Sequence, residues 1–78
     1  MIVDLIIDKR NSLKNFAMNL MCNYKGILLD AKSDDVVDRK GIKVYEVYVV
    51  SFFITKKNME KFISDYNIKQ CNNGDYIM

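Results

Sequence analysis

Residues 42–54 read IKVYEVYVVSFFI and carry the strongest strand signal in the chain. The stretch is rich in valine, tyrosine, phenylalanine and isoleucine, which are the residue types that favour β-strands. Its thirteen residues would extend about 43 Å at about 3.3 Å each, which is longer than the usual strand. We therefore expect either a bulge within this strand or a hairpin that projects as an arm beyond the helices.

The sequence before this strand predicts the other half of a hairpin. Asp38-Arg39-Lys40-Gly41 is a turn pattern, in which aspartate suits the first position and glycine the position that needs a positive φ. Residues 27–31 form a strand pattern that Ser33, Asp34 and Asp35 interrupt and that residues 36–37 resume. The second and third strands are therefore expected to pair as a long hairpin.

Helical periodicity flanks this hairpin on both sides. The first helix is predicted from one apolar stripe with a period of 3.6 residues, formed by Leu13, Phe16, Ala17, Leu20, Met21 and Tyr24. Asn11 or Ser12 is expected to cap its start, and Gly26 to supply the positive φ that ends it. The second helix is expected to run from an N-cap at Thr55 to about Tyr66, with Asn67 as its stop.

Short strand patterns complete the two ends of the chain. Val3, Leu5 and Ile7 alternate with Ile2, Asp4 and Ile6, and the first three are the expected core face. Residues 68–71 predict a fourth strand. The segment Asn72-Asn73-Gly74 predicts a tight turn, after which residues 75–78 either fold back as a fifth strand or continue the fourth.

The element order is therefore β-α-β-β-α-β, which predicts an α+β domain of the ferredoxin-like superfold. In that fold an antiparallel four-stranded sheet carries two helices on one face, with the long hairpin between the second and third strands. The chain has 78 residues, a length that predicts a single domain over residues 1–78.

The composition removes most kinds of enzyme. The chain has no histidine, three glycines and two cysteines, so it lacks histidine-activated nucleophiles, the usual zinc ligand and a glycine-rich phosphate loop. We therefore expect a non-enzymatic protein with no cofactor and no metal site. Cys22 is expected to be a buried free thiol, and free thiols without a secretory signal predict a cytoplasmic protein. The longest apolar stretch, residues 47–54, is too short to cross a membrane, so no membrane partner is expected.

Both faces of the third strand are apolar, and Glu46 alone distinguishes them. Assigning the Glu46 face to the side without helices predicts an exposed apolar patch, which usually marks a protein interface. The predicted partner-binding residues are Tyr48, Val50, Phe52, Glu46, Ile2 and Ile6. If the two faces are reversed, the docking surface is expected on the face of Tyr45, Val47 and Val49 instead. The expected partner is another protein, a second copy in a homodimer, or both.

The predicted function is a small protein-binding regulatory module that acts through its sheet face or its long hairpin. Abundant lysine, isoleucine and asparagine without proline are typical of an AT-rich coding sequence. That bias and the small size suggest a phage or mobile-element inhibitor of a host protein, anti-CRISPR-like in role.

A nucleic-acid-binding protein or metal-dependent nuclease is the alternative. Lys9, Arg10, Arg39 and Lys40 would then contact phosphates, and Asp4 or Asp8 would hold the metal. Asp8 resembles the strand-end aspartate of the small dimeric CRISPR adaptation nucleases, although the rest of that family's pattern is not evident. Residues 39–41 and 48–52 resemble the basic and aromatic motif of RNA-recognition domains, which share this element order. The net charge of +2 gives little steering toward nucleic acid.

Overall fold

The computed structural model describes residues 1–78 and has the α+β composition that the sequence predicts. Its elements, in chain order, are β1 (Ile2–Asp8), α1 (Leu13–Tyr24), β2 (Ile27–Val37), β3 (Lys43–Phe53), α2 (Lys56–Tyr66), β4 (Lys69–Gln70) and β5 (Tyr76–Ile77). β2 and β3 pair as the expected long hairpin, with Asp38 and Gly41 closing its turn.

The five strands form one mixed sheet in the order β2-β3-β1-β5-β4. β3 runs antiparallel to β1 and β2, whereas β5 runs parallel to β1 and antiparallel to β4. The prediction of a four-stranded antiparallel sheet is wrong. The turn at residues 71–75 folds the chain back on itself, with the Gly74 N–H donating to the Cys71 carbonyl at 3.0 Å, so that β5 occupies the place beside β1. The ferredoxin-like assignment therefore stays a prediction.

Both helices pack on the same side of the sheet, which we call the helix side. Val3, Leu5 and Ile7 of β1 are buried there, as their alternation predicts. The ring of Phe62 lies at the centre of an aromatic cluster, with its centroid 4.9 Å from that of Tyr24, 6.0 Å from Phe52 and 6.1 Å from Phe16. The core is thus built from one face of the sheet and one stripe of each helix.

The helix ends follow local hydrogen-bonding rules. Ser12 and Thr55 cap α1 and α2, each side-chain oxygen accepting a bond from a backbone N–H three residues later at 3.3 Å. Asn67 ends α2 in the left-handed region, with a φ of 53°. The equivalent residue of α1 is Lys25, not the predicted Gly26. A Cβ atom on Gly26 would lie 2.7 Å from Leu20 Cγ, so Gly26 is needed for space rather than for its φ.

β2 is continuous, and the predicted interruption at residues 33–35 is wrong. Polar side chains cost nothing there, because β2 is the edge strand and these residues are exposed on both of its faces. The register shifts instead between Leu28 and Asp30, and again near the hairpin tip between Val36 and Val37. The hairpin thus contains the expected irregularity, and its outer half has no cover on either face.

α1 is less completely buried than its apolar pattern predicts. Met21 belongs to the predicted stripe but is 63 % exposed, and the thiol of Cys22 is exposed rather than buried. α1 lies against β2, and no strand continues the sheet beyond that edge. The outer flank of the helix therefore has nothing to pack against.

Candidate protein-binding surface

The two faces of β3 are oriented opposite to the prediction. Val50 and Phe52 are 0 % exposed beneath the helices, and Tyr48 is half-buried on the same side. Phe52 pairs with Val3 and Val50 with Leu5, and residues opposite each other on neighbouring strands share a face. The prediction that Tyr48, Val50 and Phe52 form an open binding surface is therefore wrong, because these side chains fill the core of the folded chain.

Glu46 also lies on the helix side, which explains why it misled the assignment. Glu46 lies toward the hairpin, where the helices no longer cover the sheet, and its carboxylate forms ion pairs with lysine side chains. Lys43 donates to this carboxylate, and Lys9 Nζ lies 2.8 Å from Glu46 Oε2. Hydrogen bonds from Lys43 and then from Lys9 lower the pKa of Glu46 to about 2.

The ion pairs around Glu46 reach β2 on one side and Lys9, the residue that follows β1, on the other. Lys43 Nζ lies 3.7 Å from Asp35 Oδ1 on β2, and Lys9 Nζ lies 5.5 Å from the centroid of the Tyr48 ring. These contacts cover the helix side of the hairpin base with charge. Tyr45 and Val47 lie on the opposite face of the same strand.

The open face is the side of the sheet without helices. It carries Ile2, Asp4, Ile6 and Asp8 of β1, Tyr45, Val47, Val49, Ser51 and Phe53 of β3, Ile27, Asp30, Lys32, Asp34 and Val36 of β2, and Ile77 of β5. Of the predicted partner-binding residues, Ile2 and Ile6 do lie here. The pairing register places Phe53 beside Ile2, and Val49 beside Ile6.

Apolar and acidic rows alternate across the open face. The first row is formed by Ile2, Phe53 and Ile27, all well exposed. Asp4, Ser51 and Asp30 form the next row, which we call the acidic row, and the Ser51 hydroxyl donates to Asp4 Oδ1. A second apolar row follows with Ile77, Ile6 and Val49. Two apolar rows thus flank a pair of carboxylates.

An open groove of about 740 Å³ lies at the hairpin end of this face. The groove is lined by the apolar residues Ile6, Tyr45, Val47, Ile77 and Met78 and by the charged residues Asp8, Lys9, Arg10 and Glu46. Val47 is only 5 % exposed although no helix covers it. The groove therefore continues the apolar surface of the sheet toward the hairpin arm.

Asp8 closes the loop between β1 and α1. The Arg10 N–H donates to Asp8 Oδ1 at 2.8 Å, and the Arg10 guanidinium lies 3.2 Å from Asp8 Oδ2. These backbone and side-chain hydrogen bonds from Arg10 lower the pKa of Asp8. No three side chains of histidine, cysteine, aspartate or glutamate come together as a metal site would require, and Asp4 is bonded to Ser51 instead.

The four cations of the nucleic-acid alternative fall into two separate groups. Lys9 and Arg10 lie at the end of β1 and are paired with Glu46 and Asp8, respectively. Arg39 and Lys40 lie exposed at the hairpin tip, on the far side of the Lys43 ion pairs. The structure does not join these groups into one basic surface, and nucleic-acid binding stays a prediction.

The open-face residues of β3 are Tyr45, Val47, Val49 and Phe53, which lie on the face that the prediction held only as its alternative. Their alternation with the core residues was visible in the sequence, but the choice of face was reversed. Comparison of the chain with protein-family models, with curated proteins and with solved structures finds no match. Neither helix has the length and apolar character that crossing a membrane requires.

Proposed function

We propose that this protein is a small non-enzymatic binding module that grips another protein through its open face. The observation that carries the proposal is the exposure of apolar side chains on three neighbouring strands, with Ile2 69 % and Phe53 44 % exposed. Neither helix covers them. Contiguous exposed apolar surface of this kind usually serves as an interface.

The acidic row defines the chemistry of the partner. Asp4 and Asp30 stand in this row with one cation near them, since Lys32 Nζ lies 3.9 Å from Asp30 Oδ2. A second copy of the chain would bring the same excess of carboxylates on β1 and β2, and like charges oppose each other across an interface. A different protein with lysine or arginine in the middle of an apolar surface would complement this face.

The open face is long at one edge of the sheet and short at the other. β2 and β3 have eleven residues each and β1 has seven, whereas β4 and β5 have two each. One flat partner surface laid across β1, β2 and β3 would contact both apolar rows and the groove.

The fold family and the biological role of the protein are proposed from its sequence. The first six elements follow the β-α-β-β-α-β order of the ferredoxin-like fold, with β5 inserted between β1 and β4. Regulation or inhibition of a host protein by a phage or mobile-element product is proposed from size and base composition alone. Binding to the open face would be the physical step of such inhibition.

A selection of random peptides displayed on phage tests the proposal. Peptides selected on the wild-type protein should combine apolar residues with lysine or arginine. They should lose binding to Val49→Asp, which adds a charge to the second apolar row, because desolvating that carboxylate opposes docking. They should still bind Met21→Asp, a matched control on the exposed flank of α1.

Circular dichroism will establish that both variants are folded. If Val49→Asp unfolds, Asp4→Lys replaces it, since Asp4 is exposed and the change reverses a charge of the acidic row. Peptides that bind the open-face variant as tightly as wild type, yet lose binding to Met21→Asp, would overturn the proposal and place the binding surface on α1.

A further inference from the structure

The two edges of the sheet are very different. β4 forms one edge and has two residues, whereas β2 forms the other and has eleven. Proteins usually keep sheet edges short or disrupt them, because an unpaired edge can pair with another chain. Register shifts interrupt the pairing only near the two ends of β2, between Leu28 and Asp30 and between Val36 and Val37, and regular pairing to β3 runs from Asp30 to Val36.

The alternation of hydrogen bonds along β3 shows which backbone groups of β2 point away from the sheet. The Ile54 N–H donates to the Met1 carbonyl at 3.0 Å and the Lys9 N–H to the Glu46 carbonyl at 3.4 Å, so the even-numbered residues of β3 bond to β1. The odd-numbered residues then bond to β2, because the bonds of an antiparallel strand alternate between its two neighbours. Their partners are Asp30, Lys32, Asp34 and Val36. The N–H and C=O groups of Ala31, Ser33 and Asp35 therefore point away from the sheet.

One of these three outward donors is already occupied. The Asp35 N–H donates to Asp34 Oδ1 at 2.8 Å. The outward N–H and C=O groups of Ala31 and Ser33 therefore remain without a partner at the middle of the edge. Two such residues offer two N–H and two C=O groups to an added strand.

The side chains along this edge specify the occupant. β2 contains Asp30, Asp34 and Asp35 against Lys32 alone, a net charge of −2. On the helix side, Ala31 and Ser33 are small, and the apolar side chain of Leu28 is partly exposed. An incoming strand would therefore meet carboxylates on the open face and apolar surface on the helix side.

We infer that the edge of β2 accepts an extended segment of another protein as a sixth strand, one in which basic residues alternate with apolar residues. Main-chain hydrogen bonds to Ala31 and Ser33 supply the affinity, and the alternation of side chains supplies the specificity. A second β2 strand fits poorly, since it would add the same excess of carboxylates. The backbone groups of this edge are distinct from the side chains of the open face, and Asp30 and Asp34 border both surfaces.

A short fluorescently labelled peptide that alternates lysine and valine is the probe. We expect binding at low salt that weakens as salt is added, with amide NMR shifts concentrated at Ala31 and Ser33. Ser33→Pro removes one outward donor without breaking a bond to β3, and should weaken binding about tenfold or more. Ser33→Ala is the matched control and should bind as wild type does.

Two further arms separate this inference from the proposed function. Val49→Asp changes the open face alone and should leave binding of the lysine–valine peptide unchanged. A glutamate–valine peptide should not bind. Equal binding of both peptides, unchanged affinity for Ser33→Pro, or shifts confined to the open face would each overturn the inference.

A charge-reversal variant keeps the test decisive if Ser33→Pro fails to fold. Asp30→Lys combined with Asp34→Lys should switch the preference from the lysine–valine to the glutamate–valine peptide. A retained preference for the lysine–valine peptide would overturn the inference.

Discussion

At the residue scale, Phe52 and Phe53 are adjacent in sequence and have opposite environments. The Phe52 ring is fully buried and lies 6.2 Å from the centroid of Phe16, in an edge-to-face arrangement. Phe53 lies on the open face, with close to half of its surface exposed. Within one dipeptide, Phe52 therefore belongs to the core and Phe53 to the open face.

Truncating the two rings should have unequal effects on stability. Phe52→Ala should lower the free energy of unfolding by ~3–5 kcal/mol, because it leaves a cavity beneath both helices. Phe53→Ala should cost no more than about 1 kcal/mol. Urea unfolding followed by circular dichroism measures both values, and equal costs would contradict the assignment of faces.

Glu46 should make the stability of the protein depend on pH. Its pKa falls from 4.5 to about 2 on folding, so its contribution is fully present above about pH 4.5 and is lost as the pH falls toward 2. The effect should be modest and screened by salt, since the carboxylate is partly exposed. Thermal melts of wild type and Glu46→Gln should differ at neutral pH and converge near pH 2. A difference of unchanged size at pH 2 would refute this origin.

Glu46 also shows why the buried face of β3 could not be predicted from the sequence alone. The alternation of Val3, Leu5 and Ile7 identified the core face of β1 because that strand has carboxylates on its other face. β3 has apolar residues on both faces, so the assignment of its faces depended on Glu46 alone. Glu46 lies beyond the helices, where a charged side chain can be exposed on the helix side as well. An exposed charge indicates the solvent side of a strand only where the other side is covered.

At the element scale, helix starts were predictable and one helix end was not. Ser12 and Thr55 cap through their own side chains, which is a local property of the sequence. The role of Gly26 depends on Leu20, whose side chain is fixed by the core. A contact of that kind cannot be derived from periodicity.

Gly26→Ala should therefore destabilise the protein by about 1–3 kcal/mol, the usual cost of overpacking a core. The added methyl would meet the Cγ and Cδ1 atoms of Leu20 at 2.7 and 2.8 Å. Lys25→Gly is the matched control and should stabilise slightly, because Lys25 adopts a φ of 54° that glycine reaches without strain. Urea unfolding of the two variants measures both changes in the free energy of unfolding. An unchanged free energy of unfolding for Gly26→Ala would show that Leu20 can move aside.

At the scale of the whole molecule, the acidic row should keep the open face from pairing with itself. Replacing Asp4 and Asp30 together by asparagine removes both carboxylates between the apolar rows. We expect that variant to self-associate in sedimentation velocity runs at rising concentration, because desolvating the face becomes less costly. Glu60→Gln with Asp75→Asn removes the same charge elsewhere and should leave the sedimentation behaviour of wild type unchanged. Equal sedimentation of both double variants would mean that the acidic row does not control association.

The order of elements was predictable, whereas the sheet order at the C-terminal end was not. β4 and β5 have two residues each, too few to show a period. Their positions depend on the turn at residues 71–75 and on the space beside β1, which only the assembled sheet defines.

The central position of β1 has a consequence for synthesis on the ribosome. β1 leaves the ribosome before the other strands and both helices, yet its partners β3 and β5 are made much later. At about 5–20 residues per second, several seconds pass before β3 is available. During that interval an apolar strand emerges without its neighbours, and the nascent chain is most exposed to aggregation and to chaperones.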